Sequence, residues 1–229
     1  MDKVVFKRQT HSYHTTEELK TLRTNIQFSG QDKKVFMVTS CISGEGKSSL
    51  AFDLAVSLAE LKKKVLILDC DLRKLVLHSS LAEGSRAEYG LSHVLAGRCE
   101  LKDALYMTNI PGLNVVFSGV TPPNPTELLS GDVFGKIIRV FRGIFDYVII
   151  DCAPLGMVVD AAIVAAQCDA SILVIEAGTI KYRFAQETMR KLSNTGCPLV
   201  GVVLNKVDYK NNGKYYGKYY GERYTKYYE

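Results

Sequence analysis

The sequence predicts an α/β protein whose central sheet is mostly parallel and is flanked by helices on both faces. Two observations support this fold class. Short continuous apolar runs, which are typical of strands buried on both faces, alternate with segments of helical period. In addition, a glycine-rich turn at residues 40–48 lies between an apolar run and a helical segment. Ligands of such sheets bind at the carboxyl ends of the strands, so we expect the functional site there.

The individual elements follow from the pattern in chain order. The first helix is predicted at residues 15–29, because Leu19, Leu22 and Ile26 have the spacing i, i+3, i+7 of one helix face. Apolar runs predict strands within residues 33–38, 63–74, 113–119, 145–151, 170–176 and 197–208. Periodic segments predict helices at residues 48–61, 126–143, 158–167 and 180–195, and two short helices within the looser region 76–112.

The chain divides into three segments. Residues 1–14 are predicted to be a flexible N-terminal segment, and residues 15–208 to form one α/β domain. The 21 residues from 209 to 229 include eight tyrosines and no aliphatic residue. A segment without an apolar stripe cannot build a core, so we expect a disordered tail.

Composition and charge exclude several classes of function. With 229 residues, 47% of them hydrophobic, the chain can form one sizeable core, but it has no apolar run of the ~18–20 residues that span a bilayer. We find no signal peptide, and the six cysteines lack CxxC spacing, so a cytoplasmic protein without a metal–thiolate site is expected. The tail carries +3 of the net charge of +5, so the body has no strong excess for binding nucleic acid.

The glycine-rich turn is the strongest functional signal. Backbone N–H groups in a turn between a strand and a helix face a bound phosphate. Cys41 stands where the strict phosphate-binding (P-loop) pattern has Gly, but Gly46, Lys47 and Ser48 fit that pattern. Lys47 can reach the β and γ phosphates of a nucleotide, and the Ser48 hydroxyl can bind Mg²⁺. The predicted nucleotide-binding residues of the turn are Ser43, Gly44, Glu45, Gly46, Lys47, Ser48 and Ser49.

Three carboxylates follow buried strands and are expected at the same edge of the sheet as the turn. Asp151 comes after four apolar residues and fits the role of holding Mg²⁺, through water. Asp69 and Asp71 are two residues apart, so on an extended chain both point to one side, toward the phosphates. The alternative is that one of these two caps the following helix.

The segments GEGKSS, LDCDLRK and VIIDCAP, in this order and spacing, resemble those of the bacterial tyrosine kinases of capsule and exopolysaccharide systems (BY-kinases). The resemblance extends through the first helix, the segment GVTPPNPTELL and the tyrosine tail, and so covers nearly the whole chain. It implies a P-loop NTPase fold, ATP and Mg²⁺ as cofactors, and tyrosine phosphorylation that regulates polysaccharide synthesis and export.

The resemblance also implies a role for each site residue. The catalytic residues would be Lys47, which binds the β and γ phosphates, Asp69, which accepts the proton of the tyrosine hydroxyl, and Asp71 and Asp151, which serve the metal together with Ser48. Arg73 would help to steady phosphate charge. Asn205 and Lys206 would border the adenine.

Partners and oligomers are implied as well. BY-kinases of this length are activated by the cytoplasmic end of a separate membrane protein, which implies peripheral recruitment to the inner face of the plasma membrane. They form rings such as octamers, and Glu17, Lys20 and Arg23 occupy the positions of the family's ring contacts. Neighbours in the ring phosphorylate each other's tails, besides other protein substrates. The implied phosphoacceptors are Tyr215, Tyr216, Tyr219, Tyr220, Tyr224, Tyr227 and Tyr228.

The chain departs from the family pattern at three positions. Ser43 and Leu75 stand where the family has Pro, which changes turn stiffness more than chemistry. Lys20 replaces the first Arg of the ring motif, and a lysine cannot form the bidentate contacts of a guanidinium.

Three alternative functions remain open on the sequence. Residues 205–208 match the NKxD motif of GTP-binding switches, although Pro154 stands where those proteins need Gly. A positioning ATPase of the MinD and ParA type shares the fold, but Ile42 replaces its signature lysine. The third alternative is a scaffold whose docking to a membrane partner is controlled by the nucleotide.

Overall fold

A computed structural model describes residues 2–7, 11–30 and 32–207 of the chain. Its eight strands form one sheet in the order β1-β4-β5-β3-β6-β2-β7-β8, with all neighbours parallel except β4 and β5. The strands are β1 (Lys3–Val4), β2 (Val35–Ser40), β3 (Val65–Asp69), β4 (Tyr106–Thr108), β5 (Leu113–Val116), β6 (Tyr147–Asp151), β7 (Ala170–Glu176) and β8 (Leu199–Asn205). The predicted α/β class and mostly parallel sheet are confirmed.

Helices cover both faces of this sheet. They are α1 (Tyr13–Phe28), α2 (Lys47–Ala59), α3 (Leu91–Leu95), α4 (Pro125–Ser130), α5 (Asp132–Ile144), α6 (Asp160–Ala165) and α7 (Tyr182–Ser193), with a 3₁₀ turn at Leu77–Ser80. Among the residues that the structure describes, no helix combines the length and the apolar character needed to cross a bilayer.

The sheet carries a hydrophobic core on each face. β2 and β3 are buried along their whole length, because their continuous apolar runs pack on both sides. One core lies under α5 and α6 and includes Phe134 and Phe141, whereas the other lies under α2 and includes Phe52 and Leu58. Because β2, β3 and β6 pair in parallel, their carboxyl ends lie at the same edge of the sheet.

The prediction of a flexible segment at residues 1–14 is wrong for its described beginning and end. Lys3 and Val4 pair with β4, and the alternating pattern buries the side chains of Val4 and Phe6 against the core under α2. α1 begins at Tyr13, because the Ser12 side chain accepts a hydrogen bond from the amide of Thr15 and so caps the helix.

Three further elements differ from the prediction. The helix expected at 126–143 is divided into α4 and α5 at Gly131, whose extended backbone ends one helix and begins the next. Within the region 76–112, only α3 of the two short helices forms as an α-helix, and the segment 101–105 is turn. The sequence pattern missed β4, which has only three residues and forms a hairpin with β5.

Candidate functional site

The P-loop connects the end of β2 to the start of α2. Gly44 and Gly46 have φ angles of 93° and 88°, a left-handed conformation that favours glycine. Gly46 precedes α2 directly, so the helix begins at Lys47 with its N-terminus at the loop. Lys47 and Ser48 are both buried despite their polarity. This geometry matches the phosphate cradle that the sequence predicts.

The three predicted carboxylates meet beside Lys47. Asp69 and Asp151 end the adjacent strands β3 and β6 as register partners, and Asp71 follows two residues after Asp69. Lys47 Nζ lies 3.0 Å from Asp71 Oδ2, 3.1 Å from Ser48 Oγ and 3.6 Å from Asp151 Oδ1. All three carboxylates are at most 2% exposed. The site therefore holds three acidic groups and one ammonium away from solvent.

Several buried carboxylate oxygens have no hydrogen-bond donor among the described residues. Asp69 Oδ2 and both carboxylate oxygens of Asp151 lack a hydrogen-bond partner within the described part of the chain. Leaving such an oxygen unpaired costs about 1–3 kcal/mol, so buried polar atoms are almost always satisfied. Oxygen ligands of this kind, with the Ser48 hydroxyl nearby, suit Mg²⁺. The residues present thus fit a hard divalent cation.

The electrostatics of the site are dominated by burial. Burial and the neighbouring charge of Asp151 raise the pKa of Asp69 well above its usual range. Burial also raises the pKa of Asp151, although Lys47 opposes this effect. Burial works against the charge of Lys47, but Asp151 and Asp71 outweigh it and raise the pKa of the ammonium. Strongly perturbed groups in one cluster are typical of functional sites.

Neither Asp69 nor Asp71 caps a helix, so that alternative is wrong. Asp69 Oδ1 accepts a hydrogen bond from the amide of Asp71 at 3.0 Å, and Asp71 Oδ1 accepts one from the amide of Arg73 at 3.3 Å. The next helical element starts only at Leu77, after Val76. These contacts instead form a tight turn that keeps both carboxylates beside Lys47.

The side chain of Glu45 is turned into the protein. It is completely buried and accepts hydrogen bonds from the amides of Cys41 and Ile42, at 2.7 and 2.8 Å, and of Glu176 at 3.1 Å. Glu45 therefore stabilises the P-loop from within, and only its backbone is available to a phosphate.

Asn205 and Lys206 also contact the P-loop. Asn205 Nδ2 donates to the carbonyl of Glu45 at 2.9 Å, and Lys206 Nζ donates to the carbonyl of Gly44 at 2.7 Å. Lys206 in addition pairs with Glu176 at 2.8 Å. The polar ends of both side chains are thus directed at the loop backbone, and the expectation that these residues border the adenine stays a prediction.

Arg73 pairs with Asp160, a residue that the sequence pattern does not connect with it. Its Nε donates to Asp160 Oδ2 at 2.6 Å and its Nη2 to Asp160 Oδ1 at 3.1 Å, and Thr126 Oγ1 also contacts Asp160 at 2.7 Å. Burial opposes the charge of Asp160, but Arg73 and Thr126 outweigh it and lower its pKa. The sequence does not reveal this pairing, since 87 residues separate Asp160 from Arg73. Lys74, the residue after Arg73, donates a hydrogen bond from Nζ to Ser43 Oγ of the P-loop at 2.8 Å.

The predicted oligomer contacts are engaged within the chain. Arg23 donates to the carbonyl and hydroxyl oxygens of Ser57, at 2.8 and 3.1 Å, and so attaches α1 to α2. Lys20 pairs with Glu17 on the helix surface at 2.7 Å. The predicted phosphoacceptor tyrosines, together with the rest of segment 209–229, lie outside the described residues.

The combination of a P-loop, a helix N-terminus and carboxylates at the ends of adjacent parallel strands defines a P-loop NTPase. Comparison with protein-family models agrees, because residues 33–196 match the AAA domain family. The chain is 43% identical to the tyrosine-protein kinase CpsD of Streptococcus agalactiae, over 87% of this chain and 90% of that protein. It therefore belongs to the bacterial tyrosine-protein kinase family, as the resemblance in its sequence indicates.

Among solved structures, a kinase domain is likewise more similar to this chain than a positioning ATPase is. The kinase domain of the Escherichia coli tyrosine kinase ETK is 30% identical with a TM-score of 0.78, and the match covers 84% of this chain and 77% of that chain. MinD of Pyrococcus horikoshii, complexed with Mg-ADP, is 25% identical with a TM-score of 0.62, covering 75% and 69%. The chain thus shares its fold with the positioning ATPases but is more similar to the kinases.

Proposed function

We propose that this protein is an ATP- and Mg²⁺-dependent tyrosine kinase that phosphorylates its own C-terminal tyrosine cluster in trans. One observation carries the proposal. The P-loop lysine, Lys47, and the carboxylates of Asp69, Asp71 and Asp151 converge at one edge of the sheet, and some of the carboxylate oxygens have no hydrogen-bond donor in the described part of the chain. Transfer to a tyrosine hydroxyl needs a proton acceptor besides the metal-binding carboxylates, and Asp69 supplies it.

Each residue has a distinct task in this reaction. Ser48, Asp71 and Asp151 would hold Mg²⁺, which offsets the negative charge of the transferring phosphoryl group. Lys47 binds the β and γ phosphates, for which it must exchange its present contact with Asp71. The tyrosine hydroxyl has an unperturbed pKa near ~10 and is a poor nucleophile, so it needs a positioned acceptor for its proton. The raised pKa of Asp69 suits a group that takes up that proton.

The tail supplies the substrate through tethering. A flexible chain of 21 residues has an average reach of about 25 Å, which is enough to enter the site of an adjacent subunit. Such a tether gives local concentrations on the order of mM, so no tight peptide-binding pocket is needed. The repeated tyrosines between residues 215 and 228 would then be phosphorylated in turn.

The family also suggests the setting of the reaction. We propose that a transmembrane activator recruits the protein to the inner face of the plasma membrane, where rings such as octamers form. Phosphorylation would regulate capsule and exopolysaccharide synthesis and export. The internal bonds of Arg23 and Lys20 mean that ring contacts through α1 would have to share or exchange their present partners.

Mass spectrometry of the tail after incubation with Mg-ATP tests the activity. Phosphotyrosine between residues 215 and 228 is expected in the native chain and absent from Lys47→Met. Mixing Lys47→Met with a native chain that ends at residue 208 tests the trans mechanism, because only the inactive chain then carries a tail. Phosphate that never appears on that tail would contradict transfer between subunits, and GTP competing as well as ATP would favour the GTP-binding alternative.

A further inference from the structure

The end of β8 is attached to the P-loop by two hydrogen bonds and to the end of β7 by one ion pair. Lys206 Nζ donates to the carbonyl of Gly44 at 2.7 Å and pairs with Glu176 Oε2 at 2.8 Å, while Asn205 Nδ2 donates to the carbonyl of Glu45 at 2.9 Å. We propose that Lys206 is a positioning residue that holds the P-loop in its phosphate-binding shape and does not read the nucleotide base. This inference rests on phosphate binding at the P-loop but not on the kinase activity proposed above.

The direction of the peptide groups explains how such a contact would act. A trans peptide is planar, so its C=O and the N–H of the next residue point in opposite directions. Lys206 and Asn205 hold the carbonyls of Gly44 and Glu45 toward β8. The N–H groups of Glu45 and Gly46 must therefore point away from β8. Backbone N–H groups of this loop are the groups that cradle phosphates, so Lys206 and Asn205 fix donors of the binding site.

Glu45 fixes the beginning of the loop, and it also contacts Glu176, the residue that pairs with Lys206. The Glu45 carboxylate accepts hydrogen bonds from the amides of Cys41 and Ile42 and from the amide of Glu176. Glu176 thus contributes its amide to Glu45 and its carboxylate to Lys206. Since Glu176 and Asn205 are register partners at the ends of β7 and β8, the loop is braced against two strands of the rigid sheet.

The backbone of Lys206 supports a specific requirement at this position. Its φ of 54° lies in the left-handed region, which a non-glycine residue adopts at an energetic cost. The conformation directs the side chain back to Gly44 and Glu176. Asn205 and Lys206 also begin the segment that matches the guanine-reading NKxD motif. Their contacts account for these two residues of the motif without any guanine.

Binding of a ligand without a base separates the two roles. We would measure the affinities of the full-length chain for inorganic tripolyphosphate and for MgADP by calorimetry. Lys206→Met is expected to weaken both ligands by the same factor, about tenfold. Lys206→Arg keeps a cationic donor and should remain within about threefold of the native affinities, whereas Glu176→Gln removes only the ion pair and should weaken both ligands about threefold.

Lys102→Met is the matched control, because Lys102 pairs with Glu100 at 2.7 Å on the surface and should leave both affinities unchanged. A Lys206→Met chain that binds tripolyphosphate like the native chain overturns the proposal, and weaker binding of MgADP alone assigns Lys206 to the base. Should that variant not fold, Glu176→Gln decides in the same way: unchanged tripolyphosphate binding overturns the proposal. Calorimetry needs no phosphoryl transfer, so failure of the kinase function would appear separately, as absent phosphotyrosine.

Discussion

Asp69 and Asp151 are register partners at the carboxyl ends of the adjacent strands β3 and β6, and both are almost completely buried. Two acidic groups so placed raise the cost of ionising each other, and burial adds to it. Lys47, at 3.6 Å from Asp151, offsets part of this cost. The arrangement destabilises the site without ligands and favours the binding of a cation, which is what a phosphoryl-transfer site requires.

Asp69→Asn should separate chemistry from binding. Loss of the proton acceptor is expected to lower the rate of tail phosphorylation about 10²- to 10⁴-fold. Nucleotide affinity should stay within about twofold, since Lys47 and the metal-binding carboxylates remain. Because the folded pKa of Asp69 is raised, its ionisation costs stability above the unfolded pKa, so the variant should be at least as stable at neutral pH.

Phosphotyrosine formation, MgADP calorimetry and urea unfolding measure these three effects of Asp69→Asn. Lys47→Met is the contrasting variant, because it should lose nucleotide affinity as well as phosphorylation. An Asp69→Asn chain that phosphorylates its tail at the native rate would remove Asp69 from the reaction.

Gly46→Ala should disable the P-loop through a collision as well as through strain. A Cβ on Gly46 would collide with Asn205 Nδ2, so the Asn205 side chain would have to move and give up its bond to the Glu45 carbonyl, and the φ of 88° disfavours alanine. Gly44 has a similar φ of 93°, but a Cβ there meets no atom of the described residues within 4 Å. Gly44→Ala is therefore the control for strain alone, at about 1–2 kcal/mol. We expect Gly46→Ala to lose more stability in urea unfolding and more nucleotide affinity than Gly44→Ala; equal effects would contradict the collision.

The P-loop and its carboxylates could be predicted from the sequence because their signals are local. Glycines of a turn, the following Lys47 and the carboxylates that end apolar runs all lie within short segments. The pairing of Arg73 with Asp160 could not be predicted, because it joins residues 87 positions apart through the packing of α6. The inward direction of Glu45 was hidden for a similar reason: one of its three donors is Glu176, at the end of β7.

The short strands β1 and β4 could not be predicted, for a different reason. β1 has two residues and β4 has three, so neither shows a period that a sequence pattern can reveal. They form because the edge of an existing sheet offers free hydrogen-bonding groups and because the side chains of Val4 and Phe6 pack into the core under α2. Both depend on tertiary structure that the local sequence does not encode.

Arg23→Met should destabilise the single chain. Arg23 donates to both oxygens of Ser57 from a mostly buried position, so losing these bonds is expected to lower the free energy of unfolding by about 1–2 kcal/mol. Lys20→Met removes only an exposed pair with Glu17 and should change it by less than about 1 kcal/mol. Urea unfolding at concentrations where light scattering detects monomers makes the comparison. Equal, negligible losses would mean that Arg23 acts only between subunits.

Stability should depend on pH through Asp169. Its carboxylate accepts hydrogen bonds from the amides of Lys34 and Val35, both at 2.9 Å, and forms an ion pair with Arg142. Burial opposes its charge, but these donors outweigh it and lower the pKa of Asp169. A carboxylate with a lowered folded pKa contributes stability above its unfolded pKa of about 3.9, and this contribution is lost as the pH falls through the folded pKa.

Asp169→Ala should therefore cost stability at neutral pH, and less in acid. Because the pair with Arg142 is partly exposed, solvent screening limits the expected loss to about 1–2 kcal/mol. Urea unfolding of both chains at several pH values tests this dependence, and the difference between them should shrink below about pH 4. A difference that stays constant through the acid range would show that Asp169 acts by packing and not by charge.

Phosphorylation of the tail is expected to loosen any assembly of this protein. The tail carries a charge of +3, and each phosphate adds about −1.5 to −2, so four phosphates would bring it to roughly −3 to −5. A tail of that charge is repelled by the acidic edge that Asp69, Asp71 and Asp151 form and by other phosphorylated tails. Light scattering before and after incubation with Mg-ATP should show a fall in mass, with Lys47→Met as the control that keeps its mass. Adding salt should weaken the effect, because screening reduces repulsion between charges. An unchanged mass at complete phosphorylation would contradict this role of the tail charge.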